Sequence, residues 1–158
     1  MATKRQLPGA AVLNGLLYVM GGGDTYNEEM NAGECFDPVS NTWVPAPPMA
    51  TKRCDFGVAV LNRLLYAVGG ARGEDSLATM ECFHPASNRW ELVPPMATRH
   101  HGCRAAVLDG LLYVIGGADG YTEALHCTVE CFDPASNSWE PGEPMAQARD
   151  SFGCGVVP

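Results

Sequence analysis

The sequence predicts an all-β fold of four-stranded antiparallel blades stacked side by side, and three observations carry that prediction. One pattern is written three times and restarted once: Met-Ala-Thr, a basic pair, a short apolar run, a Tyr ahead of Gly-Gly, Glu-Cys-Phe, a proline turn, a Trp, and Pro-Met. Tyr18, Tyr66 and Tyr113 lie 48 and 47 residues apart, and Trp43, Trp90 and Trp139 lie 47 and 49 apart. Such a period marks a repeat architecture, in which each unit buries its apolar face on its neighbours. Each unit also offers four short strand candidates separated by turn signals, with no helical region. Four antiparallel strands per unit of this length are the pattern of a propeller blade.

The repeats run 1–48, 49–95 and 96–144, with a partial fourth over 145–158. In the second, the apolar runs 56–61 and 64–68 read as two buried strands. Asn62-Arg63 joins them; Asn14-Gly15 and Asp109-Gly110 are the matching pairs. Asn-Gly and Asp-Gly between strands signal a type I′ hairpin, whose two central residues need positive φ. A Gly-Gly pair closes the second strand. A polar stretch of 11, 10 and 12 residues then leads to Glu34, Glu81 and Glu130, and variable length between fixed elements marks an exposed loop. Glu-Cys-Phe is the third strand. An Asp-Pro or His-Pro turn leads to the fourth, which begins at the Trp. Residues 149–157 read as the first strand of a fourth blade.

Of the 158 residues, 46% are hydrophobic and 18% charged, so material for a core is ample. No run reaches the ~18 apolar residues of a membrane span, and the first repeat starts at Met1, leaving no room for a signal peptide. Seven cysteines follow the repeat rather than a pairing scheme, which predicts free thiols in a reducing compartment: the cytoplasm, with the nucleus also open. A net charge of −8 argues against nucleic acid, whose binding rests on phosphate neutralisation.

The residues that invite a catalytic reading have plainer roles. No Gly pair fits a dinucleotide fingerprint or opens a helix, so close packing at the blade centre explains the pairs better than phosphate binding. The tryptophans read as inter-blade packing and the recurrent Glu34, Glu81 and Glu130 as scaffold. His84, His100, His101 and His126 lack metal-pair spacing, and no Cys-x-x-Cys occurs. No Ser-His-Asp arrangement stands out. We therefore expect neither catalytic residues, nor a metal site, nor a cofactor. Cys54, Cys103 and Cys154 near the first strands read as buried inert thiols, unless a neighbouring arginine activates one as a redox sensor.

Six of the ten Lys/Arg fall just after the repeat methionine: Lys4, Arg5, Lys52, Arg53, Arg99 and Arg149, with His100 and His101 beside them. A repeating architecture turns equivalent positions in sequence into an arc in space. Two readings follow: a positive rim suited to an anionic ligand, or arginines that pair with the blade glutamates and hold the fold together.

The Gly pairs at 21–22, 69–70 and 116–117, each with a Tyr three residues ahead, together with Glu-Cys-Phe and the tryptophans, resemble the kelch repeat over essentially the whole chain. The stretch 56–70 is similar to the kelch domain of BTB-kelch substrate adaptors of cullin-RING ubiquitin ligases, most of all the electrophile-sensing one. The resemblance implies a non-catalytic platform that binds an acidic segment of a partner protein. Its binding face would include Arg5, Arg53 and Arg149, with His100 at the matching position of the third repeat, and Arg99 of the basic rim is a candidate beside them. Thr79 and Thr128 would add hydroxyls, with Ala32 a departure in the first repeat, and Tyr26 and Tyr121 would contribute from the loops. Actin or cytoskeletal binding is the alternative partner class. The resemblance also implies six blades, of which this chain encodes half. It is then a fragment, a half-propeller that works only after assembly, or one half of a homodimer that closes the ring, where a swapped strand would settle the competition for the joint. No helical BTB-like region accompanies the repeats.

Overall fold

The computed structural model describes residues 1–24, 28–120 and 124–154. Its strands form three four-stranded antiparallel blades and one small hairpin. Blade one orders β1 (Gly9–Leu13), β2 (Leu16–Met20), β3 (Gly33–Asp37) and β4 (Thr42–Ala46). Blade two orders β5 (Gly57–Leu61), β6 (Leu64–Val68), β9 (Met80–His84) and β10 (Arg89–Val93). The hairpin of β7 (Ala71–Arg72) and β8 (Asp75–Ser76), which the sequence does not announce, sits in its loop. Blade three orders β11 (Arg104–Leu108), β12 (Leu111–Ile115), β13 (Val129–Asp133) and β14 (Ser138–Pro141). The inner strands β1, β5 and β11 neighbour one another without pairing, so the blades fan out from a common axis.

Each inner hairpin turns as its sequence demands. Asn14 and Gly15 have φ of 53° and 79°, Asp109 and Gly110 51° and 78°, and Asn62 and Arg63 51° and 61°. At the far end of the hairpin, Gly69 (φ 65°) and Gly70 (φ 98°) bring the next inter-blade linker against the sheet. The Gly70 amide donates to His100 O at 2.7 Å, and a Cβ on Gly69 would stand 2.7 Å from that same oxygen. The pair is glycine because a linker, rather than a strand, passes over it.

Alternation along the strands places two apolar layers between blades. Leu13, Tyr18, Met20 and Cys35 of blade one pack on Phe56, Leu65, Ala67 and Phe83. Leu61, Tyr66, Val68 and Cys82 of blade two pack on Leu112, Val114 and Phe132. Aromatic rings bridge each joint: Tyr18 to Phe83 with centroids 5.6 Å apart, and Tyr66 to Phe132 at 6.0 Å. The Trp90 indole N–H donates to Pro47 O at 3.0 Å, and that of Trp139 to Pro94 O at 2.8 Å. The tryptophans are thus inter-blade struts.

Near the axis a row of backbone hydrogen bonds crosses from blade to blade. The Asp55 amide donates to Leu7 O (3.0 Å), Gly102 to Asp55 O (2.8 Å) and Ser151 to Gly102 O (2.8 Å). The last of these carries the tail along the path taken by the two earlier linkers. Residues 145–154 form no strand, because an inner strand pairs only within its own hairpin and no partner for it is described.

The end blades keep bare faces. Leu61 is 4% exposed against blade three, whereas its equivalent on blade three, Leu108, is 49% exposed. Tyr113, Ile115 and Cys131 beside it are half-buried where Tyr66, Val68 and Cys82 are buried. On the opposite end, Leu17 and Phe36 of blade one are half-buried where Leu65 and Phe83 are enclosed.

Candidate functional site: the linker and loop face

In each blade the start of the first strand, the end of the second, the start of the third and the end of the fourth lie on one face. That face carries the inter-blade linkers and the loops that follow the glycine pairs.

The linkers are held by glutamate clamps. The Glu81 carboxylate accepts the Ala50 and Thr51 amides at 2.6 and 3.0 Å. Glu34 does the same for Ala2 and Thr3, and Glu130 for Ala97 and Thr98. An anion receiving two backbone N–H groups is a strong, oriented hydrogen-bond acceptor. This is the reason for the fixed Met-Ala-Thr and Glu-Cys-Phe phrases, and Glu34, Glu81 and Glu130 are scaffold.

The second residue of each basic pair completes the clamp. The Arg53 guanidinium donates to Gly69 O (2.6 Å), Thr79 O (3.1 Å), Thr79 Oγ1 (3.3 Å) and Glu81 Oε1 (2.8 Å), and the residue is 0% exposed. Burial pulls its pKa down, and Glu81 opposes that pull. Arg5 reaches Gly21 O, Ala32 O and Glu34 in the same way. In blade three the shorter His100 places Nε2 3.4 Å from Glu130 Oε1. Of the two sequence readings of these arginines, the pairing with blade glutamates holds for Arg5 and Arg53. The side chains of Arg5, Arg53 and His100, expected on the binding face, are turned onto blade glutamates and carbonyls and are at most 1% exposed. The Thr79 hydroxyl is likewise engaged with Arg53. The buried Thr128 hydroxyl has no hydrogen-bond partner among the described residues. Tyr26 and Tyr121 lie outside the described residues.

The first residue of each pair, which the sequence reading set in the same rim as the second, faces the other way. Lys4, Lys52 and Arg99 occupy one repeated position, and all three are exposed. Arg149 is exposed too, at the position equivalent to Arg53. The signal was available, since in an extended segment adjacent residues point to opposite sides; if one faces the clamp, the other faces solvent.

Between the loops of blades two and three lies an open cleft of about 860 Å³, bordered by Glu74, Asp75, Ser76, His101 and Asp150. Ser76 Oγ is 2.9 Å from His101 Nδ1, a juxtaposition of residues 25 apart that sequence reasoning missed. The hydroxyl accepts the Gly120 amide at 2.7 Å and is buried, so it braces two loops rather than attacking a substrate.

Of the three thiols expected to be buried, Cys103 is buried, Cys54 half-buried and Cys154 exposed. Burial pushes Cys103 and Cys82 up to about 11 and raises Cys54, outweighing the nearby Arg104 in the case of Cys103. All seven cysteines are free.

The profile of the KLHDC2/KLHL20/DRC7 kelch-repeats domain matches residues 2–156. The chain belongs to the kelch-repeat family. Among solved structures, that of YjhT superposes with a TM-score of 0.80 at 16% identity, over 92% of this chain and 54% of that one. At that identity the likeness speaks for the fold alone, and the kelch chain spans about half the length of its structural neighbour. No curated protein sequence matches it. Kelch-repeat propellers are generally protein-interaction modules without catalytic activity, and this chain carries that architecture.

Blade three of the kelch chain has its own pH signature. Burial, then His100, lowers the His126 pKa, against the weaker opposing pull of Asp119 and Glu130, while His101 adds to the lowering. The folded state therefore resists protonation that the unfolded chain accepts below about 6.5. With more protons on the unfolded chain, stability falls as pH drops through that value. Urea midpoints measured from pH 7.5 to 5 are expected to fall more steeply for the wild type than for His126→Phe. Equal slopes would refute the assignment.

Proposed function

We propose that this kelch chain is a non-catalytic interaction module that takes an acidic segment of a partner protein along its linker face. The observation behind this is the division within each basic pair. One member is folded into a clamp, and the other, Lys4, Lys52 or Arg99, stands in solvent at a repeated position. The blades turn that repetition into an arc of positive charge on an otherwise acidic protein, ending near exposed Arg149. Such an arc steers an anionic strand and fixes its direction. Exposed Glu28, Glu74 and Asp75 in the post-glycine loops give the arc a negative border, so the segment lies along the linkers. The resemblance to BTB-kelch adaptors supports substrate recognition for a ubiquitin ligase, in the cytoplasm or nucleus, as the setting.

An array of acidic peptides probed with wild type and with a Lys4→Glu/Lys52→Glu/Arg99→Glu variant tests this. All three side chains are exposed, so the fold is expected to persist. Binding should weaken at least about tenfold, roughly 1.4 kcal/mol, and wild-type binding should fade with added salt. Undiminished binding by the triple variant would place recognition elsewhere.

The bare end faces favour a second, compatible reading: the chain works as an assembly of two copies joined head to tail. The bare face of blade three repeats the face of blade two that blade three itself covers inside the molecule. Closing a ring of the six blades that the kelch resemblance implies would take two such chains.

A further inference from the structure

We infer that β10, the outer strand of blade two, accepts an extended segment of a partner protein as a fifth strand. This edge lies on the outer rim of the blade and uses none of the exposed linker cations. Each blade ends in an outer strand of this kind, and the three differ in the main-chain groups they leave unpaired.

The ladder fixes which groups those are. In blade two Gly69 N–H donates to Thr79 O, so Ala67 and Glu81, next in the same register, form a hydrogen-bonded pair between β6 and β9. Bonded and non-bonded pairs alternate along an antiparallel ladder. Glu81 and Phe83 therefore direct their main-chain groups to β6, and Met80, Cys82 and His84 direct theirs to β10. Across that second ladder Arg89, Glu91 and Val93 are bonded, while Trp90 and Leu92 turn N–H and C=O away from the sheet. The same phase holds in the other blades, where Gly21 N–H donates to Ala32 O and Gly142 N–H to Val129 O.

The residues equivalent to Leu92 are Pro45, opposite Glu34, and Pro141, opposite Glu130. Proline there breaks no bond within the blade, because its nitrogen faces outward, yet it removes a donor that an added strand needs. Blades one and three thus carry a guard against further pairing. Blade two lacks it. Leu92 keeps its outward amide, and the residue is 62% exposed. Trp90 and Leu92 together present two N–H and two C=O groups at the spacing of a ladder, with no partner among the described residues. Strand addition draws its affinity from such groups and its specificity from alternate side chains.

Those side chains define the occupant. Trp90 and Leu92 share one side of β10 and Glu91 takes the other. Apolar residues opposite Trp90 and Leu92, and a basic one opposite Glu91, complete the cross-strand pairs. The Glu91 side chain is 70% exposed, with His84 Nε2 at 3.2 Å. A second copy of this chain fits badly. Antiparallel pairing that used both Trp90 and Leu92 would set Glu91 directly opposite its own counterpart, like charge against like.

Hydrogen exchange on the free chain gives the first readout. The Trp90 and Leu92 amides should exchange fast and the Glu91 amide, bonded to β9, slowly. A protected Leu92 amide would mean that this chain or a second copy already covers the edge, and would overturn the inference. The second readout is an NMR titration with the capped peptide Thr-Val-Lys-Val-Thr, taken to millimolar concentration. The Trp90 and Leu92 amide signals should shift and become protected. Leu92→Pro installs the residue with which the other two blades fold, and should weaken binding at least about tenfold. The same peptide N-methylated at both valines tests the ladder with the protein unaltered, and should not bind. A wild type that ignores the peptide overturns the proposal, as does undiminished binding by Leu92→Pro or of the methylated peptide.

Discussion

Glu81→Ala is expected to destabilise the protein by about 3–5 kcal/mol, the usual cost of stripping one partner from a buried ion pair. Arg53 and Glu81 are fully enclosed and 2.8 Å apart. The substitution leaves a guanidinium facing Gly69 O and Thr79 O with no neutralising charge, and it orphans the Ala50 and Thr51 amides at the same stroke. A domain with roughly 5–15 kcal/mol in total has little to spare, so the urea midpoint should collapse. Glu34→Ala offers the comparison, since its salt bridge is longer at 3.5 Å and it holds a chain end. A milder effect is expected there. If the two variants lose equal stability, the joint between blades one and two is not the keystone its burial suggests.

Phe83→Ala is expected to cost about as much, 3–5 kcal/mol, by a different route. The ring is buried between Tyr18 of the preceding blade, at 5.6 Å, and Trp90 of its own, at 5.3 Å. Its loss removes apolar area and leaves a cavity that two rigid sheets cannot close. Phe36→Ala deletes the same side chain from blade one, where the ring has Trp43 beside it but no neighbouring blade. The difference between the two midpoints measures what a blade-to-blade contact adds. Equal losses would mean that packing within the blade accounts for the whole effect.

The fold was legible because each of its constraints is written in residue type. Asn-Gly and Asp-Gly fix positive φ, a Tyr ahead of Gly-Gly fixes the end of the second strand, and the Trp spacing fixes the outer pair. The clamp was half legible. Glu34, Glu81 and Glu130 were readable as scaffold by recurrence, but their ligands are backbone amides, which every residue possesses and no sequence advertises. The arginines misled for a related reason: charge shows in the sequence, whereas burial depends on which of two adjacent side chains turns inward. Arg53 turns in and Lys52 turns out, and only coordinates decide between neighbours of the same sign. The Ser76–His101 brace was illegible altogether, since it joins loops of different blades whose approach depends on the fan angle.

The row of amide-to-carbonyl bonds from Leu7 through Asp55 and Gly102 to Ser151 runs in one sense only. That gives the arc a plus end and a minus end, as in a polar filament. A segment that continued the row past Ser151 would therefore have to present an amide to the Ser151 carbonyl, and one that extended it before Leu7 would have to present a carbonyl to the Leu7 amide.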